Sequence, residues 1–227
     1  MQFWQIASIS VSGNSAVPSS VIQNLVQADI NGNYIRVIPK SNILLYPKKA
    51  IETDILKIFP RIKTIQISMS GLQSISIDVT ERVPTALWCQ DISCYLMDSN
   101  GLIFDSAPEF NGNVYLIYKG EVEGGPIGAI YTTPTEFATI NSLVDGIKAL
   151  SLTPVSVNAL GNNDYEITLV GGEVITVNTV MPVTQTLSNF TSLLSDPKLS
   201  LRSGNGLSVA TVDLRYGNKV FFKKKGQ

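Results

Sequence analysis

The sequence predicts an α+β chain in two modules: a β-α-α-β-β domain over residues 1–82, then a mainly antiparallel β domain with two helices over 83–227. Three observations carry this. Apolar residues recur twice at helical spacing early in the chain, at Val21, Ile22, Leu25, Val26 and at Ile51, Ile55, Ile58, Phe59. Period-two alternation follows in Ile65, Ile67, Met69 and again in Ile75, Ile77, Val79. After Pro84 the pattern breaks into short apolar runs divided by turn residues. A chain of 227 residues is long enough for two domains of ordinary size.

In the first module, Ile9 and Val11 alternate with serines as a strand, and Gly13-Asn14 turns the chain. Pro18 suits the first turn of the first helix, since its missing N–H has no partner to lose there. Segment 31–46 reads as irregular, with Gly32, Pro39 and the apolar Ile43-Leu44-Leu45. The second helix, 48–58, turns Lys48, Lys49, Glu52 and Asp54 away from its apolar stripe, and Pro60 ends it. Two alternating strands joined through Ser70-Gly71 complete a sheet whose apolar face needs the two helices as cover.

In the second module the predicted strands are 85–89, 94–98, 102–105 and 114–118, with Asn100-Gly101 as a hairpin signal. Glu121 to Gly128 is glycine-rich and loop-like. Thr133-Pro134-Thr135-Glu136 opens a helix with Phe137, Ile140, Leu143, Val144 and Ile147 inward. Strands at 155–159, 164–169 and 173–177 follow, then a helix near 182–194 carrying Val183, Leu187, Phe190 and Leu194. The chain closes with a strand over 207–216, a turn at Gly217-Asn218 and a final strand over 219–224. The inward phase slips between Val209 and Val212, which predicts a bulge near Ala210-Thr211. Trp88 is expected to pack at the junction of the two modules.

Composition excludes several kinds of chemistry. Histidine is absent, which removes the commonest general base, the Ser-His-Asp and Cys-His nucleophile systems, and histidine-ligated metals. Asp91, Asp98 and Asp105 sit at turns and strand ends, where solvated or turn-bonding carboxylates are expected rather than an acid pair. Gly124-Gly125-Pro126-Ile127-Gly128 lacks the lysine and hydroxyl of a phosphate loop. No catalytic residue, cofactor site or metal site is predicted. Seventeen basic residues against eighteen acidic ones leave no electrostatic footprint for nucleic acid. The tail Lys223-Lys224-Lys225 reads as a solubilising end. No run approaches the roughly 18 apolar residues of a membrane span, and the N-terminus lacks the order of a secretory signal. Phe3 and Trp4 suit either a membrane interface or packing on the first domain.

Cys89 and Cys94 flank four residues. In a hairpin they become cross-strand neighbours within reach of a disulfide. That pairing is favoured over two reduced thiols, and it implies an oxidising, extracytoplasmic setting. Two thiols cannot complete a four-ligand zinc site.

The run Glu81-Arg82-Val83-Pro84-Thr85-Ala86-Leu87-Trp88 resembles the Glu-Arg-x-Pro-x-Ala-x-Trp sequence of the bacterial cell-division family FtsQ, called DivIB in Gram-positive bacteria. Other similar pieces are Val11-Ser12-Gly13-Asn14, Phe59-Pro60-Arg61-Ile62, Asp98-Ser99-Asn100-Gly101-Leu102-Ile103-Phe104 and Val212-Asp213-Leu214-Arg215-Tyr216-Gly217-Asn218-Lys219-Val220. They occur in family order over nearly the whole chain. The resemblance implies a POTRA-type domain over 1–82 and an FtsQ/DivIB-like β domain over 83–227. It also implies a non-enzymatic divisome protein that binds FtsB and FtsL by β-strand addition and helps septal assembly and the control of septal peptidoglycan synthesis.

By matching positions, Arg215 and Tyr216 fall on the family's partner-binding segment, and Lys219, Val220, Phe221 and Phe222 on its exposed edge. The POTRA domain is expected to bind other divisome proteins. The family setting is the extracytoplasmic face of the cell membrane at the division septum, with a transmembrane anchor N-terminal to this chain and absent here. The alternative is a POTRA-bearing component of an outer-membrane assembly or secretion system, though such proteins carry tandem POTRA repeats and this chain shows one.

Overall fold

A computed structural model of the chain describes residues 4–34, 37–110, 112, 114–204 and 206–226. Phe3 lies outside them. The fold is α+β in two units, Met1–Val83 and Pro84–Gln227.

The first unit runs β1 (Ser8–Ser12), α1 (Ser19–Asp29), β2 (Asn33–Tyr34), β3 (Ile38–Pro39), α2 (Lys48–Ile58), β4 (Ile62–Met69) and β5 (Ser74–Glu81). Its three-stranded sheet has the order β1-β5-β4, with β1 parallel and β4 antiparallel to the central β5. Ile75, Ile77 and Val79 of β5 face inward onto Ile22 and Val26 of α1 and Ile51 and Ile55 of α2. Removing that stripe from water supplies most of the unit's stabilisation. Gly13 is required where it stands: its φ is +78°, and a Cβ there would lie 2.1 Å from the Val79 carbonyl oxygen.

Three expectations need correction here. Segment 31–46 is not wholly irregular, because β2 and β3 form a short antiparallel hairpin. Ile58 and Met69, each the last residue of its element, are exposed.

The second unit comprises β6 (Ala86–Gln90), β7 (Ser93–Met97), β8 (Ile103–Ser106), β9 (Leu116–Lys119), α3 (Pro134–Ala149), β10 (Pro154–Gly161), β11 (Asp164–Leu169), β12 (Val174–Asn178), α4 (Val183–Ser195), β13 (Arg202–Ser203), β14 (Gly206–Leu207), β15 (Val209–Tyr216) and β16 (Lys219–Lys224). Nine strands form one sheet in the order β16-β15-β12-β11-β10-β9-β6-β7-β8. Five of its eight joins are antiparallel, and the other three, β6/β9, β9/β10 and β12/β15, are parallel. The helices explain two of these joins. α3 carries the chain from β9 to β10 and α4 from β12 to β15, and a helical crossover returns the chain in its original direction.

Thr133 caps α3 by accepting from the Glu136 N–H at 3.3 Å, and Pro134 opens its first turn. Phe137, Ile140, Leu143, Val144 and Ile147 of α3 are all buried, in one core with Phe190 of α4. Gly146 is where Leu187 of α4 comes closest, and a Cβ there would stand 2.2 Å from a Leu187 methyl. Trp88, expected at the junction, packs inside this core, with its indole N–H donating to the Gly120 carbonyl at 3.1 Å. A smaller cluster around Leu87, Leu96 and Phe104 forms a second buried group.

Candidate partner-binding edge

β15 and β16 form an antiparallel hairpin closed by Gly217, whose φ of +58° suits the tight reversal, and Asn218. A register shift between Val209 and Thr211 places the bulge at Ala210. Its extra residue restores the inward phase, so Val209, Val212 and Leu214 are all buried. Val220 and Phe222 of β16 pack against the same core, while Lys219 and Phe221 are exposed.

β16 ends the nine-stranded sheet, and among the described residues it pairs with β15 alone. One row of its backbone groups therefore has no strand partner. Beside this rim, Asp213, Tyr216, Lys219 and Phe221 line a shallow cleft of about 420 Å³. Tyr216 and Phe221 are 52% and 55% exposed. Two half-exposed aromatic rings beside the free edge of the sheet's last hairpin are what an added strand can cover.

Arg215 has a different position from its neighbour. Its guanidinium donates to Asp213 through Nε (2.9 Å) and Nη2 (2.6 Å), and to Asp164 of β11 through Nη1 (2.7 Å). This fork satisfies both carboxylates in the geometry guanidinium is shaped for. Burial alone would raise the Asp213 carboxyl, but the Arg215 hydrogen bonds outweigh it and hold it below its ordinary range. Arg215 also lies 5.5 Å from the centre of the Tyr216 ring. What it offers the rim is therefore the placement of that ring.

The far end of β16 has its own anchor. Lys225 donates to the Glu173 carboxylate at 2.7 Å, and Glu173 is buried. The Leu207 N–H donates to the same oxygen at 3.3 Å. Burial raises the Glu173 carboxyl, yet the Lys225 ammonium and the nearby amides bring it below its usual value. One lysine of the tail that reads as merely solubilising thus ties down the strand.

Spacing within β15 could have revealed Asp213 and Arg215, since residues two apart share a strand face. Nothing local could have revealed Asp164 or Glu173, which lie 51 and 52 residues from their partners.

Cys89 and Cys94 stand opposite each other in the β6/β7 register and are joined by a disulfide. A cavity of about 610 Å³ opens beside Cys89, where Gln90, Lys119 and Gly161 end the parallel strands β6, β9 and β10. Asp91 and Glu121 stand at its wall with Lys119. Of the other turn acids, Asp98 accepts from the Asn100 and Leu102 amides at 2.8 and 3.1 Å. Glu136 accepts from Asn163, Tyr165, Thr179 and Thr132. Those donors outweigh burial and hold its carboxyl below the usual range, while burial and the Glu136 bond push Tyr165 up to about 12. These groups are structural acceptors in satisfied networks. Among the described residues no three His, Cys, Asp or Glu side chains gather as metal ligands, and no helix is long and apolar enough to cross a membrane.

No family model and no curated protein matches this sequence.

Proposed function

We propose that this chain is a non-enzymatic scaffold of bacterial cell division, of the FtsQ/DivIB type, which receives a strand from an FtsB-like partner along β16 and, with FtsL, contributes to septal assembly and control of septal peptidoglycan synthesis. The observation that carries the reading is the position of β16. It ends a nine-stranded sheet, with Tyr216 and Phe221 exposed beside an unpaired backbone row. An incoming strand gains main-chain hydrogen bonds from the row and buries the two rings.

The first unit supports the same reading: apart from the short β2–β3 hairpin, its β-α-α-β-β order with β1 beside β5 suits a POTRA-type domain, to which we assign further divisome proteins. The Cys89–Cys94 disulfide suits the extracytoplasmic face of the membrane at the septum, where thiols are not kept reduced. The experiment is direct binding of this chain to the FtsB and FtsL homologues encoded in the same genome, measured for the parent protein and for Tyr216→Ala. Absence of binding, or equal affinity in both proteins, rules the edge out.

A further inference from the structure

The first unit carries a second surface that the edge-strand reading does not use. Between β3 and α2 the chain makes an excursion whose centre is fixed and whose rim is apolar. Ile43 is buried and anchors it. The Ile43 N–H donates to the Trp4 carbonyl at 2.8 Å and the Ile6 N–H to Ser41 at 2.8 Å, which ties the excursion to the start of the chain. Asn42 organises its turn, accepting from the Leu44 N–H through its side chain at 2.9 Å and from the Leu45 and Tyr46 amides through its carbonyl at 3.0 and 2.8 Å. From this held backbone Leu44 and Leu45 project at 64% and 53% exposure, beside Trp4 at 50%, with Val37 at 80% on the preceding hairpin turn.

An ordered turn that presents two leucines and a tryptophan to water loses hydrophobic stabilisation at about 25 cal/mol for each Å² left uncovered. Among the described residues, Leu44 and Val37 are among the most exposed large apolar side chains. The charges within the segment itself have one sign. Between Asp29 and Glu52 the sequence holds Arg36, Lys40, Lys48 and Lys49 and no acidic residue. The rest of the chain, with thirteen basic residues against eighteen acidic ones, is net negative. Lys48 also meets Glu52 at 3.8 Å, and both side chains remain partly exposed.

We infer that this excursion is a lipid-contact surface, on which Trp4, Leu44 and Leu45 enter the headgroup region of an anionic bilayer while lysines of the same segment face its phosphates. Tryptophan prefers that depth, leucines supply buried area, and each cation near an anionic surface strengthens the attachment. A protein partner would be expected to present acids to the cations and a pocket to the leucines, whereas a bilayer needs only exposed apolar side chains on a segment whose own charges are positive.

The test uses the full chain and vesicles of phosphatidylethanolamine with phosphatidylglycerol, against vesicles of phosphatidylcholine alone. Trp4 is the reporter, because Trp88 is 1% exposed and contributes a constant background. The anionic vesicles should sediment the protein and shift its tryptophan emission to the blue. The double variant Leu44→Glu/Leu45→Glu should weaken vesicle affinity by at least about tenfold, since it removes apolar area and adds two repelled charges. Trp4→Ser, with both leucines kept, should weaken sedimentation to a smaller degree. Unchanged melting of both variants is expected from their exposure. No sedimentation with anionic vesicles, equal sedimentation with phosphatidylcholine, or full retention by the double variant would overturn the inference. No partner protein is present in the assay, so its outcome is separate from that of the edge-strand reading.

Discussion

The rings of Tyr216 and Phe221 meet edge to face across the turn between β15 and β16, with centroids 5.4 Å apart and planes at 89°. The pair is preformed, so a partner that buries it need not first order two mobile side chains. Replacing either ring by alanine removes area that faces water, which leaves the core beneath it intact.

On the proposed function, Tyr216→Ala and Phe221→Ala should therefore each lower affinity for an FtsB–FtsL-type partner by roughly tenfold to a hundredfold, as truncated aromatic anchors do. Thermal stability should change by less than about 1 kcal/mol. Titration calorimetry with parallel melting curves separates the two effects. A proline within 219–222 should have the same signature if it removes an outward-facing donor.

Glu81 holds the entry to α1. Its carboxylate accepts from the Ser15, Ala16 and Val17 amides at 2.7 to 2.9 Å and from Arg61 at 3.0 Å. Burial pushes this carboxyl up, but the Val17, Ser15 and Ala16 amides with Arg61 overcome it and bring it down to about 2. A depressed carboxyl stabilises the folded state fully above its unfolded value near 4.5, and that contribution is lost as pH falls toward 2. The expected size is about 3 kcal/mol. Glu81→Ala should destabilise the first unit by a similar amount at neutral pH and should flatten its acid unfolding between those limits. Denaturant melts across that range test this, and an unaltered acid profile in the variant would exclude the role.

The Glu173–Lys225 pair joins a buried carboxylate to a half-exposed ammonium, with side-chain exposures of 4% and 50%. Lys225→Met leaves the carboxylate without its strongest donor, and burial then raises its pKa. The cost, roughly 1 to 3 kcal/mol, should be greatest above the ordinary carboxylate range and should shrink as acid neutralises Glu173 in the variant. Amide hydrogen exchange should report faster opening of β16 than of β11. Equal exchange in parent and variant would show that the strand does not depend on this anchor.

The disulfide closes a short loop between adjacent strands. Reduction should lower stability by roughly 2 kcal/mol, which moves the midpoint of melting by roughly 5 to 10 °C for a unit of this size. The second unit should remain folded, because its main core does not include either cysteine. Alkylation of the unfolded, unreduced chain should label neither Cys89 nor Cys94. Labelling of both would remove the oxidising-compartment argument.

Local physics wrote most of the elements into the sequence. Alternation at Ile75, Ile77 and Val79, the Thr133-Pro134 cap with its five inward residues, and the phase slip at Ala210 each arise from neighbours a few residues apart, whose periodicity is readable without coordinates. Tertiary structure decided the rest. The helices turned out to be crossovers, so part of the sheet is parallel, and Trp88 joined the core of its own unit. The place of β16 at the end of nine strands, the Arg215 fork to Asp164 and the Glu173–Lys225 tie all depend on pairings between segments far apart in the chain. Such pairings are selected by the free energy of the assembled sheet, and no local window of residues contains that sum.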